Sequence, residues 1–471
     1  MWQTVFKLEW TLMKRDRSVV LVLGLFTLAL IAAALIGGHH TGKIIDGLSD
    51  SSAQSEAQIT QLKGTLAELN QTNAPMTSKD PRDPLWMGQD GMAPFVYLPA
   101  RPLSALAVGQ RDLLPQAMIV NTDAHLSEAR EVETSLKGPT RLMTGAFDLA
   151  FLFVVLFPLV VIALSYELLS GERERGTLAM LLAQPISQLT LVLGKAAARA
   201  LVLCMVSLLF MFIGLVLSGV DLSLSETWSS MASLALVLVS WTFIWFAASV
   251  FINSFALASA TNALILVGTW LVFVVIVPGL SQVAADVIYP PPSGVHLMHE
   301  SREATQVAKA KLDAMTGTHE KKEKDKTFAK RLIEVQEQLA LKMKPILDEA
   351  HAEHAARRSM LRTLSFASPA MLLQNALEDI AGSGVARHVD FDEQVDGFHE
   401  RYRAHFVTLI KSAKRLATSD VDAAPVFQYR AESPGARVAR IGQAVMAMVL
   451  VTLFLLGLSL ARLRRIGRLT N

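Results

Sequence analysis

Cysteine is almost missing from this chain. Cys204 is the only one in 471 residues, so no disulfide can close within the chain and no cysteine-based metal site can be built. It lies inside an apolar run, where a small packing residue in a helix is its simplest role. Charge is scarce too: Asp, Glu, Lys and Arg supply 18% of the residues, against about a quarter in a soluble domain. The net charge of +2 gives no sign of a nucleic-acid partner. There is no GxxxxGK(S/T) phosphate loop, so the chain is not expected to hydrolyse ATP by itself, and there is no GxSxG nucleophile elbow. Between 202 and 285 the only charges are Asp221 and Glu226. Ion-coupled carriers keep ionisable groups inside the membrane because such groups work there. Their scarcity argues against that class, and energy for any transport is expected to come from outside the chain.

What the chain does have is apolar length. Hydrophobic residues make up 52% of it, and six runs reach the roughly 20 residues that cross a bilayer: about 19–37, 147–164, 192–217, 234–252, 257–277 and 441–460. The expected fold is an all-α polytopic membrane protein with six transmembrane helices and two mainly helical extracytoplasmic insertions. Basic residues set the orientation. Lys7, Lys14, Arg15 and Arg17 precede the first run, and Arg462, Arg464, Arg465 and Arg468 follow the last. Both termini are therefore expected in the cytoplasm. The first run is longer than the 7–15 residue core of a cleaved signal peptide and is read as a retained span.

This divides the chain into an interfacial helix (1–17), span 1 (18–38), a first extracytoplasmic domain (39–145), span 2 (146–166), a cytoplasmic segment (167–190), spans 3–5 (191–283), a second extracytoplasmic domain (284–438), span 6 (439–461) and a basic tail (462–471). Trp2, Val5, Phe6, Trp10 and Met13 recur at helical spacing among Lys7, Glu9 and Lys14, which suits a helix lying in the membrane interface. In the first insertion Ile59, Leu62, Leu66 and Leu69 mark an amphipathic helix, followed by a proline-rich, turn-rich stretch. The second insertion predicts a helical hairpin from Ser301, with Phe328, Leu332, Val335 and Leu339 on one face and a kink at Pro345. A further helix runs from Ser368–Pro369 to Gly382. Another starts at Asp390 and Glu393 in a capping-box pattern and carries a packing stripe of Phe391, Val395, Phe398, Tyr402, Phe406 and Leu409. His39–His40, His296/His299 and His351/His354 do not fit the HExxH zinc motif and are read as interface or solvated residues. No metal, cofactor or catalytic residue is expected in this chain.

The segment between the second and third runs is distinct. Ser170–Gly171 breaks a helix, Glu172, Arg173, Glu174 and Arg175 alternate in charge, and Gly176–Thr177 offers a new start. Leu178, Leu181 and Leu182 follow at i, i+3 and i+4, and Pro185 ends the pattern. Such a helix suits the groove of a soluble partner, with apolar residues for burial and charges for register. An ordinary amphipathic helix resting on lipid headgroups fits the pattern equally well. Lys195 and Arg199 are expected at the same interface.

YExxSGExExGTLxxLLxxPxS, as it stands at Tyr166–Ser187, resembles the signature of ABC-2 type permeases, the membrane subunits of a class of ABC transporters. Pro81-Arg82-Asp83-Pro84, the stretch LPARPLSALAVGQRDLLP (98–115) and SPAMLLQNALEDIAGSG (368–384) resemble a bacterial subgroup with large outside insertions. The resemblance implies a coupling helix, with Gly171, Glu172, Arg173, Glu174, Arg175, Gly176, Thr177 and Leu178 contacting a separate ATP-binding subunit. It also implies two such subunits, ATP bound on them, and a second permease chain, identical or related. Besides membrane lipid, a periplasmic partner remains open. An exporter in a bacterial inner membrane is the leading expectation that the resemblance implies. The alternatives are an ATP-driven transmitter that acts on a periplasmic partner without transport through the spans, and a membrane-anchored receptor or scaffold with no ATPase.

Overall fold

The computed structural model describes residues 2–72, 75–77, 79–109, 114–123, 147–184, 187–290, 299–300, 302–307, 310–311, 314 and 326–469. Among these described residues the chain is helical almost throughout, and six helices are long and apolar enough to cross a membrane. A short helix, α1 (Trp2–Arg15), precedes α2 (Arg17–Thr72). The second span, α3, stacks Leu149–Phe151, a π-turn at Leu152–Leu156 and Phe157–Ser165. Two short helices follow, α4 (Ser170–Glu174) and α5 (Leu178–Leu182). Spans three and four are α6 (Gln188–Leu217) and α7 (Ser225–Asn253). The fifth, α8, joins Ser259–Trp270, a π-turn at Leu271–Ile276 and Val277–Ile288. Then come α9 (Lys326–Leu364), α10 (Pro369–Ala381), α11 (Val385–Ser412), α12 (Thr418–Asp422) and the last span, α13 (Pro434–Leu469).

Both π-turns have a proline just after them. Pro158 and Pro278 cannot donate to the carbonyl four residues back and crowd it, so the helix widens by a residue. In each span the carbonyl five residues before the proline takes a side-chain donor instead. Trp241 Nε1 donates to Phe153 O at 3.0 Å, and Ser368 Oγ donates to Phe273 O at 2.5 Å. Trp270 Nε1 serves Val155 O at 3.0 Å in the first of these turns. Inside lipid a bare carbonyl is costly, and these donors lock spans two, four and five and α10 together. Ser368 also caps α10, as its sequence predicts.

The first span does not end where its apolar run ends. α2 passes unbroken through Gly37–His40 to Thr72, about 84 Å at 1.5 Å per residue. Gly37 is there for contact, because a Cβ would meet Ala105 O at 2.4 Å. The far half of α2 enters a second core. Leu66 is fully buried there with Met87, Val96, Met118, Phe391, Val395, Phe398, Tyr402 and Phe406. The stripe on α11 is therefore packing, as expected. Two short antiparallel strands, β1 (Phe95–Tyr97) and β2 (Ala117–Ile119), pair Val96 with Met118 beside it.

One local expectation fails. The helix expected to start at Asp390 starts at Val385, and Asp390 lies inside it, accepting from Gln394 Nε2 at 3.0 Å and Tyr429 OH at 3.2 Å. The early start buries Arg387 and His388, a tertiary demand that overrides the local cap signal. α9 continues past Pro345 to Leu364, as the sequence pattern predicts. The turn expected near Gly317 and His296 lie outside the described residues. His299, His351 and His354 are exposed, and no cluster of three or more metal-ligating side chains occurs among the described residues.

Candidate coupling segment

The residues singled out between the second and third spans form α4 and α5, on the side of the spans that carries both chain ends. The break lies at Tyr166–Leu169, one turn before Ser170–Gly171. A glutamate, an arginine and a glutamate in succession then reach three different elements. Glu172 Oε1 accepts from Lys195 Nζ of α6 at 2.6 Å, and its other oxygen accepts from the Thr177 hydroxyl. Arg173 donates to Leu257 O at 2.8 Å and to Ala256 O in the turn between spans four and five. Glu174 Oε1 accepts the Ser259 backbone N–H at 2.6 Å. That N–H is one of the four left free at the start of a helix, and a carboxylate there also meets the positive end of the helix dipole.

Beneath this layer lies a buried polar network that the sequence analysis did not pick out. Ser259 Oγ donates to Ser170 Oγ at 2.8 Å. Asn262 Nδ2 donates to Ser170 Oγ and to Tyr166 O, each at 3.3 Å. Asn253 accepts from Leu169 N at 3.2 Å and donates to Ser165 O at 3.2 Å. Ser165 and Ser249 share a hydrogen bond of 2.7 Å. These groups satisfy the backbone freed by the break in α3, which is why the break is tolerated. The one available signal was two asparagines in otherwise apolar runs.

α1 belongs to the same assembly. Glu9 is 2% exposed and accepts from Arg199 Nε at 2.6 Å, while Arg199 also donates to Leu164 O at the end of α3. Val5 packs against Gly194 of α6. The amphipathic helix thus has a face glued to the bundle as well as one for the interface. At the other end of the chain, Arg462 sits 3.7 Å over the Phe255 ring.

The eight residues expected to touch a partner are therefore divided. Gly171 is buried and Glu172 largely so, and Leu178 packs partly against the spans. Glu172, Arg173 and Glu174 are all bound within the chain. Arg173 and Glu174 remain exposed despite these bonds, and the outward surface continues through Arg175, with a side chain 58% exposed, Gly176, Ala179 and Met180, which is 70% exposed. The Leu182 side chain lies outside the described residues.

A family model described as ABC-2 family transporter protein matches residues 3–467. The chain belongs to the ABC-2 transporter family. Among curated proteins it is similar to a probable ABC transporter permease protein, NosY, of Stutzerimonas stutzeri, with 28% identity over 145 residues. That alignment covers 30% of this chain and 51% of the relative, so the chain spans about half the length of the curated relative it matches. As an ABC-2 family member with six membrane-length helices, it is a multi-pass membrane protein.

Two of the three outer stretches, 98–115 and 368–384, also meet in this ABC-2 chain. Arg101, from the first, pairs with Glu432 at 3.3 Å. Asp379, from the second, pairs with Arg440 at 3.0 Å, and Arg440 also holds Glu432 at 2.9 Å. Arg437 reaches Glu226 at 2.8 Å. Arg387 donates to Gly382 O at 3.0 Å and to Pro99 O. Burial lowers the pKa of Arg101 and of Arg387. Nearby Glu378 is pushed up to about 7, mainly by burial and further by Asp379 and Asp148, against the lowering effect of Gln374. This junction ties the outer domain to the far ends of spans four and six.

Proposed function

We propose that the chain is the permease subunit of an ATP-driven exporter in a bacterial inner membrane. In this reading its 167–187 segment docks on a separate ATP-binding subunit, present in two copies beside a second permease chain. The observation that carries it is the division of labour in α4 and α5. The base of the segment is bound to α6, to the turn between spans four and five, and to the start of α8, while Arg175, Gly176, Ala179 and Met180 face outward. A push on that outward surface would reach several spans at once. The contact is mechanical, and ATP chemistry belongs to the partner. Co-purification tests this: Met180→Glu with Arg175→Glu should release an ATP-binding subunit that the unaltered chain retains. Retention of that subunit by the double variant would refute the docking surface.

One observation favours a second reading, in which the motion works on a periplasmic partner. α2 is a single helix that belongs to both the membrane core and the outer core, with Leu30 and Leu66 each fully buried. Structures of the assembled complex with and without a non-hydrolysable ATP analogue separate the two readings. An opening between the spans supports export, and outer-domain displacement over closed spans supports the lever.

A further inference from the structure

The structure assigns to this chain a binding slot for one anionic glycerophospholipid, between α1 and spans three and four. The slot is an open hollow of about 540 Å³, within the range of small-molecule sites. Its floor is one face of α6, Ala197, Leu201 and Cys204 at i, i+4 and i+7, and its wall is Val239 and Phe243 of α7. Phe6 and Lys7 of α1 roof one end. Ala197 and Cys204 are short, and the surface is hollow for that reason.

The lining is apolar except at one place. Lys7 is exposed and lines the slot from α1, two residues from Glu9, which pairs with Arg199 of α6. From Ala197 to Cys204 the slot runs about 10 Å along the span at 1.5 Å per residue. A cation at one end followed by an apolar trench along the span matches the order of groups in a phospholipid: phosphate, glycerol, acyl chain. Lys14, Arg15 and Arg17 on the same short stretch add to a local positive potential, which attracts anionic lipid at about 1 kcal/mol per basic residue near the surface. A flat span face would exchange lipids freely. Here Phe6 and Lys7 of α1 cover one end, so an acyl chain in it meets α1, α6 and α7. Because α1 is also bound to α6 by Glu9, occupancy of the slot bears on how firmly α1 sits. This inference needs only the membrane-spanning character of the chain and does not depend on the docking proposal.

The test uses the full chain purified in detergent, delipidated, and titrated with phosphatidylglycerol or phosphatidylcholine of the same acyl chains, with retained lipid read by native mass spectrometry. We expect one phosphatidylglycerol retained about tenfold more strongly than phosphatidylcholine, with soluble glycerol 3-phosphate failing to compete. Lys7→Glu should abolish the headgroup preference, Lys7→Arg should keep it, and Leu201→Trp should remove retention of both lipids. Equal retention of the two lipids by the unaltered chain would overturn the proposal. So would unchanged phosphatidylglycerol retention in Lys7→Glu, which alters an exposed side chain and leaves packing intact, so that a folding defect in Leu201→Trp could not hide the result.

Discussion

Glu174 caps the fifth span from a different helix: its carboxylate accepts the Ser259 backbone N–H at 2.6 Å. The contact joins two segments separated by more than eighty residues, at the point where the chain turns back into the membrane. It makes α4 part of the mechanical base of span five.

Breaking that contact is expected to uncouple without detaching. In Glu174→Ala the outward surface at Arg175 and Met180 is untouched, so an ATP-binding subunit should still co-purify. Hydrolysis by the assembled complex should fall, with Glu174→Asp intermediate. Loss of the subunit together with activity would show that Glu174 acts at the docking surface instead.

The Pro158 and Pro278 turns give a stability prediction. Ser368→Ala leaves Phe273 O without its donor, and an unpaired buried acceptor costs about 1–3 kcal/mol. Pro278→Ala restores a backbone donor and lets the π-turn relax toward an ordinary α-helix. Ser368→Ala should therefore cost less in the Pro278→Ala background than alone, a coupling that a double-mutant cycle on thermal or denaturant unfolding measures. Additive losses would contradict this account.

Glu378 should make stability depend on pH. Its pKa is near 7 in the folded chain against 4.5 for the free group, so the folded state holds the proton more tightly than the unfolded one. The contribution is full below pH 4.5 and is lost as pH rises through 7. Glu378→Gln mimics the neutral acid and should melt higher than the unaltered chain at pH 8, by an amount corresponding to about 2–3 kcal/mol, with little difference at pH 5. Melting curves at the two pH values check this.

Gly382 ends α10 with a φ of +74°, and a Cβ there would lie 2.7 Å from Arg101 Cδ and 2.8 Å from Arg387 Nη1. Gly382→Ala combines left-handed strain of about 1–2 kcal/mol with displacement of two buried guanidinium groups. It should lower thermal stability by more than Gly435→Ala, since a Cβ at Gly435 meets nothing within 4 Å.

Apolar run length was enough to predict six spans, because a bilayer demands about 20 residues of low polarity whatever the neighbours do. Helical periodicity was enough for Phe391, Val395, Phe398, Tyr402 and Phe406, and the Ser368–Pro369 start and Gly382 stop were legible because caps are local chemistry. The segment 167–187 stood out by its alternating charge. Tertiary structure alone decided where those charges go. The sequence marks Glu172, Arg173 and Glu174 as charges on a docking segment, and only the fold shows that each also bonds a group in α6, the turn at Ala256–Leu257 or Ser259, distant in sequence. The same holds for the helix that ignored the signal at Asp390, and for α2, which ran past Gly37 because Ala105 packs against it. Local pattern reports what a residue can do; which groups it meets depends on contacts between segments far apart in the chain, and those fixed the base of the 167–187 segment, the outer junction and the hollow between α1, α6 and α7.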